Sequence, residues 1–347
     1  MKTLAEFKIG PESFTRLEES NDADFYQRVD RLVDHLDATA LATVERVIGT
    51  LVVEESPAIL DLMAGWNSHL PSTLQPKRVV GLGLNANELR QNPAVTETIL
   101  HDVNETPRLP FADASFDVVL NTVSVDYMTR PVEVFREVAR VLKPGGLYLV
   151  IFSNRMFPQK AVQIWRDSGE SVRVDLVRSY FTESGAFGET RLFVSRGKPR
   201  PADDRHSGAF VPSDPVWAIY AEKPGGAPSR RLRPEIPDDE FPAPSDEEVE
   251  RRKKLVRHTM RCPHCDQPLT RWKVPDTPFS EWDAEHVWVC FHPECPYTMR
   301  SWNVMEDQGN SGFAYRLMYH RERDRFYCVP DVGFTQPPAQ VRQTPRG

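Results

Sequence analysis

The sequence predicts an α/β protein: a doubly wound, mostly parallel sheet of seven strands, with helices before it and a small cysteine-bearing domain after it. Three observations lead there. Short continuous apolar runs alternate with helical segments from residue 58 to about residue 155, the pattern of strands covered on both faces. Four of the five cysteines lie between Cys262 and Cys295. Between these regions runs a proline-rich, acidic stretch.

Residues 1–56 read as a helical cap. Phe25, Val29, Leu32, Val33 and Leu36 recur at spacings of three and four, as do Leu41, Val44, Val47, Ile48 and Val52, which is one face of a helix. Residues 57–222 form the sheet domain. AILDLMAG, RVVGLGLN, TILHDV, FDVVLNTV and LYLVIFS are its first strands, and PVEVFREVARVL is a helix between them. GETRLFVSRG and DPVWAIYAEK read as a closing antiparallel pair joined around 198–214. Residues 223–250 hold six prolines and two acidic runs, too little apolar surface for order, so they read as a linker. A second domain follows over 251–333. It opens on the basic run RRKKLVRH and carries Trp272, Trp282, Trp288 and Trp302. Residues 334–347 read as a disordered tail.

Composition narrows the function. Lys plus Arg number 43 against 50 Asp plus Glu, a net charge of −7, which gives no overall attraction to nucleic acid or anionic membrane. No apolar run approaches the ~18 residues of a membrane span, and MKTLAEFKIGPESF lacks the apolar core of a signal peptide. A soluble, cytoplasmic protein is expected, in which clustered cysteines bind metal rather than form disulfides.

In a doubly wound sheet, ligands sit beyond the carboxyl ends of the strands. Here those ends read Asp61-Leu62-Met63-Ala64-Gly65, Gly81-Leu82-Gly83-Leu84-Asn85, His101-Asp102-Val103-Asn104 and, after FDVVLNT, Ser124-Val125-Asp126-Tyr127. Leu142-Lys143-Pro144-Gly145-Gly146 then turns into the fifth strand. The segments ILDLMAG, VVGLGLNANEL, HDVNETPRLPFADASFDVV and VFREVARVLKPGGLYLVIFSNR resemble the class I S-adenosylmethionine-dependent methyltransferases, especially their small type 11 domain. The resemblance covers residues 57–155 well and extends more loosely to about 222.

It implies S-adenosylmethionine as cofactor, with Asp61, Ala64, Gly65, Asn85, Asp102, Val103 and Asn121 around it. Two departures stand out. The family's first loop usually carries several glycines, whereas Asp61–Ser68 keeps Gly65 alone and sets Trp66 beside it. The family usually ends its second strand on an acid that holds the ribose hydroxyls, and here that position is Gly83. Losing such a charge-assisted bond costs ~1.5–3 kcal/mol. Asn85 would recover part of it, although an asparagine before ANELRQ equally suits a helix N-cap. If the usual ribose geometry is retained, restoring an acid with Gly83→Asp is expected to tighten binding. Asp61 can equally cap a turn.

No residue declares itself a catalytic base, and methyl transfer runs largely on positioning. Asp126 and Tyr127 are the catalytic candidates, because they follow the fourth strand and should face the acceptor; Asp126 alternatively caps the next helix. Ser153, Asn154 and Arg155 would meet an acidic acceptor.

Cys262-Pro-His-Cys265 is a C-x2-C knuckle, and Cys290 and Cys295 form a C-x4-C pair 24 residues further on. Paired spacing of this kind suits a closed, four-thiolate zinc site, structural rather than catalytic. The segment resembles a zinc ribbon over roughly 258–304, with a second knuckle two residues longer than usual, so His264 and His292 are substitute ligands. Cys328 stands apart as a buried small hydrophobe. The basic run would touch nucleic acid, or else pair with the acids before it, which is the favoured reading.

The expected protein is a methyltransferase acting on an unidentified acceptor, with a structural zinc module. The alternative is an inactive methyltransferase-like assembly protein whose zinc module docks a protein or nucleic-acid partner.

Overall fold

Strands with neighbours on both sides and helices on both faces have no wet face, so their side chains are apolar throughout. The computed structural model describes residues 7, 9–10, 12–204, 212–227, 232–240, 243–274, 284–308, 310 and 313–331. In it the apolar runs become β1 (Ala58–Leu62), β2 (Arg78–Gly83), β3 (Glu97–Leu100), β4 (Phe116–Thr122), β5 (Leu142–Phe152), β6 (Arg191–Arg196) and β7 (Val216–Glu222). Every residue of β1 is buried, and every residue of β2 after the first. The sheet order is β3-β2-β1-β4-β5-β7-β6. The first five strands pair in parallel, and β7 runs antiparallel to both β5 and β6. The doubly wound seven-stranded sheet and its closing antiparallel pair are therefore present. A two-residue strand, β8 (Asp239–Glu240), joins the β6 edge.

The helices of this unit are α1 (Asp22–Gln27), α2 (Ala38–Leu51), α3 (Ala86–Gln91), α4 (Pro131–Val141), α5 (Gln163–Arg166) and α6 (Glu170–Ser184). Asp37 caps α2, accepting from the Thr39 and Ala40 amides. Val44, Val47, Ile48 and Leu51 of α2 lie in one core with Ile59, Val79, Val118 and Leu120. Phe135 and Val138 of α4 and Leu176, Val177, Tyr180 and Phe181 of α6 fill the other, with Leu60, Val80, Val119 and Tyr148. α4 starts on Pro131, whose missing N–H costs nothing at a first helical position.

Two expectations change. The first expected helix stops at Gln27, and Val29 and Val33 are 60% and 58% exposed. The segment is instead tied to the residues after β2 by side-chain-to-backbone bonds in both directions. Gln27 donates to the Leu84 carbonyl, Asn85 donates to the Tyr26 carbonyl, and Glu88 accepts from the Arg31 amide at 2.7 Å. The expected linker also begins as part of the sheet domain. Buried Arg233 pairs with Glu54 at 2.5 Å and Glu222 at 2.9 Å and donates to the Leu51 carbonyl, and Asp239 pairs with Arg46 at 2.6 Å. These charged anchors act together with Ile236, which is buried in the α2 core.

The chain divides into two units, the second comprising residues 197–212 and 240–347. Its elements are α7 (Asp246–Lys253), α8 (Val256–Thr259), β9 (Thr270–Lys273), β10 (His286–Val289), α9 (Pro296–Asp307), β11 (Tyr315–His320) and β12 (Arg325–Pro330). The strands form an antiparallel sheet in the order β12-β11-β10-β9. In α7, Arg251 and Arg252 both pair with Glu248, and Lys253 pairs with Glu250, so these basic side chains are matched within their own helix. Cys328 is exposed, not buried. Trp282 and the tail 334–347 lie outside the described residues.

Candidate functional site

The strand order reverses between β1 and β4, and the loops after these strands diverge to opposite sides. A cleft opens there, at the place a doubly wound sheet reserves for ligands.

Its floor is the loop after β1. Asp61 is buried; burial pushes its carboxyl up to about 7, against a hydrogen bond with Ser68. Met63 adopts a left-handed backbone with φ 59°. The loop then crosses toward β2, where the Ala64 amide donates to the Leu82 carbonyl at 2.8 Å. Asn92 holds the next turn by donating to the Gly65 carbonyl at 3.0 Å and to Ser68 Oγ at 2.9 Å. One consequence overturns an expectation. A Cβ built at Gly83 would lie 2.3 Å from the Ala64 carbonyl oxygen. The acid that Gly83→Asp was meant to restore has no room, because the backbone fills its place.

Asn85 stands on the wall as the N-cap of α3, accepting from the Asn87 and Glu88 amides. Its amide donates to the Tyr26 carbonyl, Asp30 Oδ1 and Glu88 Oε1. The cap thus engages the carbonyl oxygen that ribose binding would require. Asp102 and Val103 line the cleft, and Asp102 Oδ1 also accepts from the Asn104 amide at 2.8 Å. Asn121 is buried beneath the wall and not on it. Its amide donates to the Leu62 carbonyl at 3.0 Å and Ser124 Oγ at 2.9 Å, tying β1 to the end of β4.

The structure separates the two catalytic candidates. Tyr127 is on the wall, where its hydroxyl accepts from the Phe157 amide at 2.8 Å and its ring stacks on Phe157. Asp126 is buried behind it in a 3-10 turn and does not cap α4, whose N-cap is Arg130. Asp126 Oδ2 has no hydrogen-bond partner among the described residues, and burial pushes the carboxyl up to about 8. Ser153, Asn154 and Arg155 do not line the cleft, and Arg155 pairs with Asp214 at 3.0 Å.

Several wall residues escape a reading of strand ends. Asp22, Tyr26, Arg31, Asp34 and His35 come from the N-terminal segment, and Glu88 from α3. Asp22 is fixed by Arg16 at 2.6 Å and by fully buried Lys160 at 3.1 Å. The Arg31 guanidinium lies 4.9 Å from the Phe25 ring and forms no ion pair with a described carboxylate. The available signal was polar: charged residues interrupting an apolar periodicity.

The second site is a sulfur cluster. The Sγ atoms of Cys262, Cys265, Cys290 and Cys295 lie within 4.8 Å of one another. Cys262 and Cys295 are 3.8 Å apart and Cys265 and Cys290 3.5 Å, near the ~3.8 Å edge of a tetrahedron with 2.3 Å zinc–sulfur bonds. No disulfide joins them. Val256, Leu269, Leu317 and Tyr319 pack with them. His264 faces Tyr297 and His292 is likewise outside the cluster, so the donor set is four thiols, as a closed zinc site requires.

Fold and cleft together define a doubly wound α/β domain with a cleft where its strand order reverses. Residues 61–150 match the family described as "Methyltransferase domain". Malonyl-acyl-carrier-protein O-methyltransferase of Marinomonas sp. (strain MWYL1) is 30% identical over 140 residues, 37% of this chain and 50% of that protein. Fatty-acid O-methyltransferase of Mycolicibacterium smegmatis is 39% identical over 90 residues, 24% and 32% of the two chains. The chain thus spans half or less of the length of these curated relatives. Among solved structures, a SAM-dependent methyltransferase from Archaeoglobus fulgidus aligns over 53% of this chain and 93% of its own, at 12% identity and a TM-score of 0.38. No described helix is long and apolar enough to cross a membrane.

Proposed function

We propose that this chain transfers a methyl group from S-adenosylmethionine to an acceptor bound in the cleft, and that a zinc ion organises its second unit. The observation carrying the first reading is positional. Asp61, Ala64, Gly65, Asp102 and Val103 stand together on the cleft wall, and all fall within the matched segment 61–150. When bound, S-adenosylmethionine supplies an electrophilic methyl group on a cationic sulfur. The chain's own task is orientation, which can supply most of the rate of an in-line displacement.

The acceptor side is the wall formed by Arg31, His35, Tyr127 and Phe157. The Arg31 guanidinium donates to the Tyr26 and Val29 carbonyls and forms no ion pair with a described carboxylate, so its charge favours an anionic acceptor, and two relatives are O-methyltransferases named for acyl substrates. A carboxylate acceptor has already lost its proton and needs no base. That agrees with Asp126 lying behind the wall. Tyr127 borders the acceptor, and Asp126 acts only through the turn that positions it.

Calorimetric titration of the whole protein with S-adenosylmethionine and S-adenosylhomocysteine tests the reading, followed by methyl transfer to fatty acids and to malonyl thioesters, which keep a free carboxylate. Binding of both nucleosides is expected, weakened roughly tenfold or more by Asp102→Ala, the scale of a lost bond to a charged group. Absence of binding would remove the enzyme reading and leave a methyltransferase-like scaffold. For the second unit, elemental analysis is expected to find about one zinc per chain, held by Cys262, Cys265, Cys290 and Cys295.

A further inference from the structure

The cleft lacks an acid where strand β2 ends, and the backbone forbids one. The Ala64 carbonyl oxygen occupies the space a Gly83 side chain would enter, at 2.3 Å from an ideal Cβ. The loop is held in that path by the Ala64 amide bond to Leu82 and by Asn92 on the Gly65 carbonyl. Yet the same wall carries another carboxylate. Glu88, in the first turn of α3, lies on the cleft with its Oε2 3.4 Å from the Cβ position of Gly65. Its Oε1 accepts from the Arg31 amide at 2.7 Å and from Asn85 Nδ2 at 3.2 Å. Those two bonds fix the rotamer. Oε2 carries no hydrogen bond from any described residue and faces the cleft.

We infer that Glu88 replaces the missing strand-end acid, its Oε2 accepting the ribose hydroxyls of a bound adenosyl ligand. The inference rests on the methyltransferase reading, because it presumes that an adenosyl group enters the cleft. Its chemistry is ordinary: a carboxylate already oriented by two donors offers its remaining lone pairs to a diol without further ordering cost. A Cβ at residue 65 would sit in van der Waals contact with Glu88 Oε2, at 3.4 Å.

The test pairs a change in the protein with a change in the ligand. Wild-type protein, Glu88→Gln and Glu88→Asp are titrated with S-adenosylhomocysteine and with its 2′,3′-dideoxy analogue. Wild type is expected to bind the analogue about ten- to a hundredfold more weakly, and Glu88→Gln to lose a similar factor for S-adenosylhomocysteine. For the dideoxy analogue, Glu88→Gln and wild type should then be equal. Glu88→Asp, which withdraws the carboxylate by one methylene, should fall between. Equal losses for both ligands would overturn the inference, since that is the mark of a role limited to holding Arg31 and α3. So would unchanged affinity in Glu88→Gln. Failure of wild type to bind S-adenosylhomocysteine would instead strike the underlying reading, and is seen before any variant is made.

Discussion

The sulfur cluster and the cleft are built in opposite ways. The cluster draws four like donors from two short segments, 262–265 and 290–295. The cleft gathers unlike groups from residues 22–41, 61–69, 83–88, 101–104, 122–127 and 157. A tetrahedral site with three ligands is a different site, whereas a wall with one residue altered remains a wall. The cluster should therefore fail as a whole and the cleft by degrees.

The largest effect expected is Cys262→Ser. The zinc content should fall from about one per chain to less than about a tenth, because structural zinc binding is itself folding free energy for so small a unit. Limited proteolysis should then cut within 243–331 while the sheet unit keeps its melting transition. A variant that loses zinc but keeps a protease-resistant second unit would show that packing by Val256, Leu269 and Tyr319 suffices, and the contrast would collapse.

Next comes the pH dependence of stability in the sheet unit. Asp126 ordinarily titrates at 3.8, and burial pushes it up to about 8. Between these values the folded state keeps a proton that the unfolded chain has released. Its contribution is fully present below pH 3.8 and is lost as pH rises through about 8. Asp61, pushed up to about 7, acts with the same sign. Thermal melting of Asp126→Asn should remain flatter than wild type as pH rises from about 4 to 8, a difference on the order of a few kcal/mol by linkage. Parallel curves would mean that Asp126 is solvated or paired in solution.

A smaller loss is expected for Gly83→Asp, about 1–3 kcal/mol, as for other overpacked sites. The side chain must displace the Ala64 carbonyl and the bond that crosses to Leu82. Binding of S-adenosylhomocysteine should weaken. Tighter binding would mean that the loop reopens at small cost and that the usual ribose geometry is latent.

Where the residues that decide a feature are adjacent in sequence, the feature was readable. β1 and β2 announce themselves because burial on both faces demands apolar residues at every position. The four cysteines do so because a knuckle needs fixed spacing. The N-terminal segment did not. Phe25, Val29, Leu32, Val33 and Leu36 carry a helical period, but the backbone there is held by the Asn85 and Glu88 side chains, and Gln27 reaches across to the Leu84 carbonyl. That exchange depends on β2 and α3 lying alongside, which periodicity cannot express. Glu88 was missed for the same reason: its two donors come from Arg31 and Asn85, and only the folded sheet brings them together. Arg233 teaches the complementary lesson, since a segment poor in apolar residues is anchored by two ion pairs beside the buried Ile236.

The smallest effect belongs to Trp66, and it bears most directly on whether the cleft shares its load. The indole N–H donates to the Val33 carbonyl at 3.0 Å, while the ring lines the cleft. The residue is half-buried, so it neither packs wholly into a core nor seals the site. It clasps the floor loop to the N-terminal segment that covers the cleft. Trp66→Phe keeps most of the ring and removes the donor. Water can reach the released Val33 carbonyl, because Val33 is exposed, so stability should drop by less than about 1 kcal/mol. Affinity for S-adenosylhomocysteine should stay within about threefold, with association and dissociation both faster, because opening a cover changes rates more than equilibrium. Stopped-flow binding together with calorimetry separates these outcomes. A tenfold or greater loss of affinity from that single N–H would make Trp66 a keystone, and the cleft would then fail in one step as the cluster does.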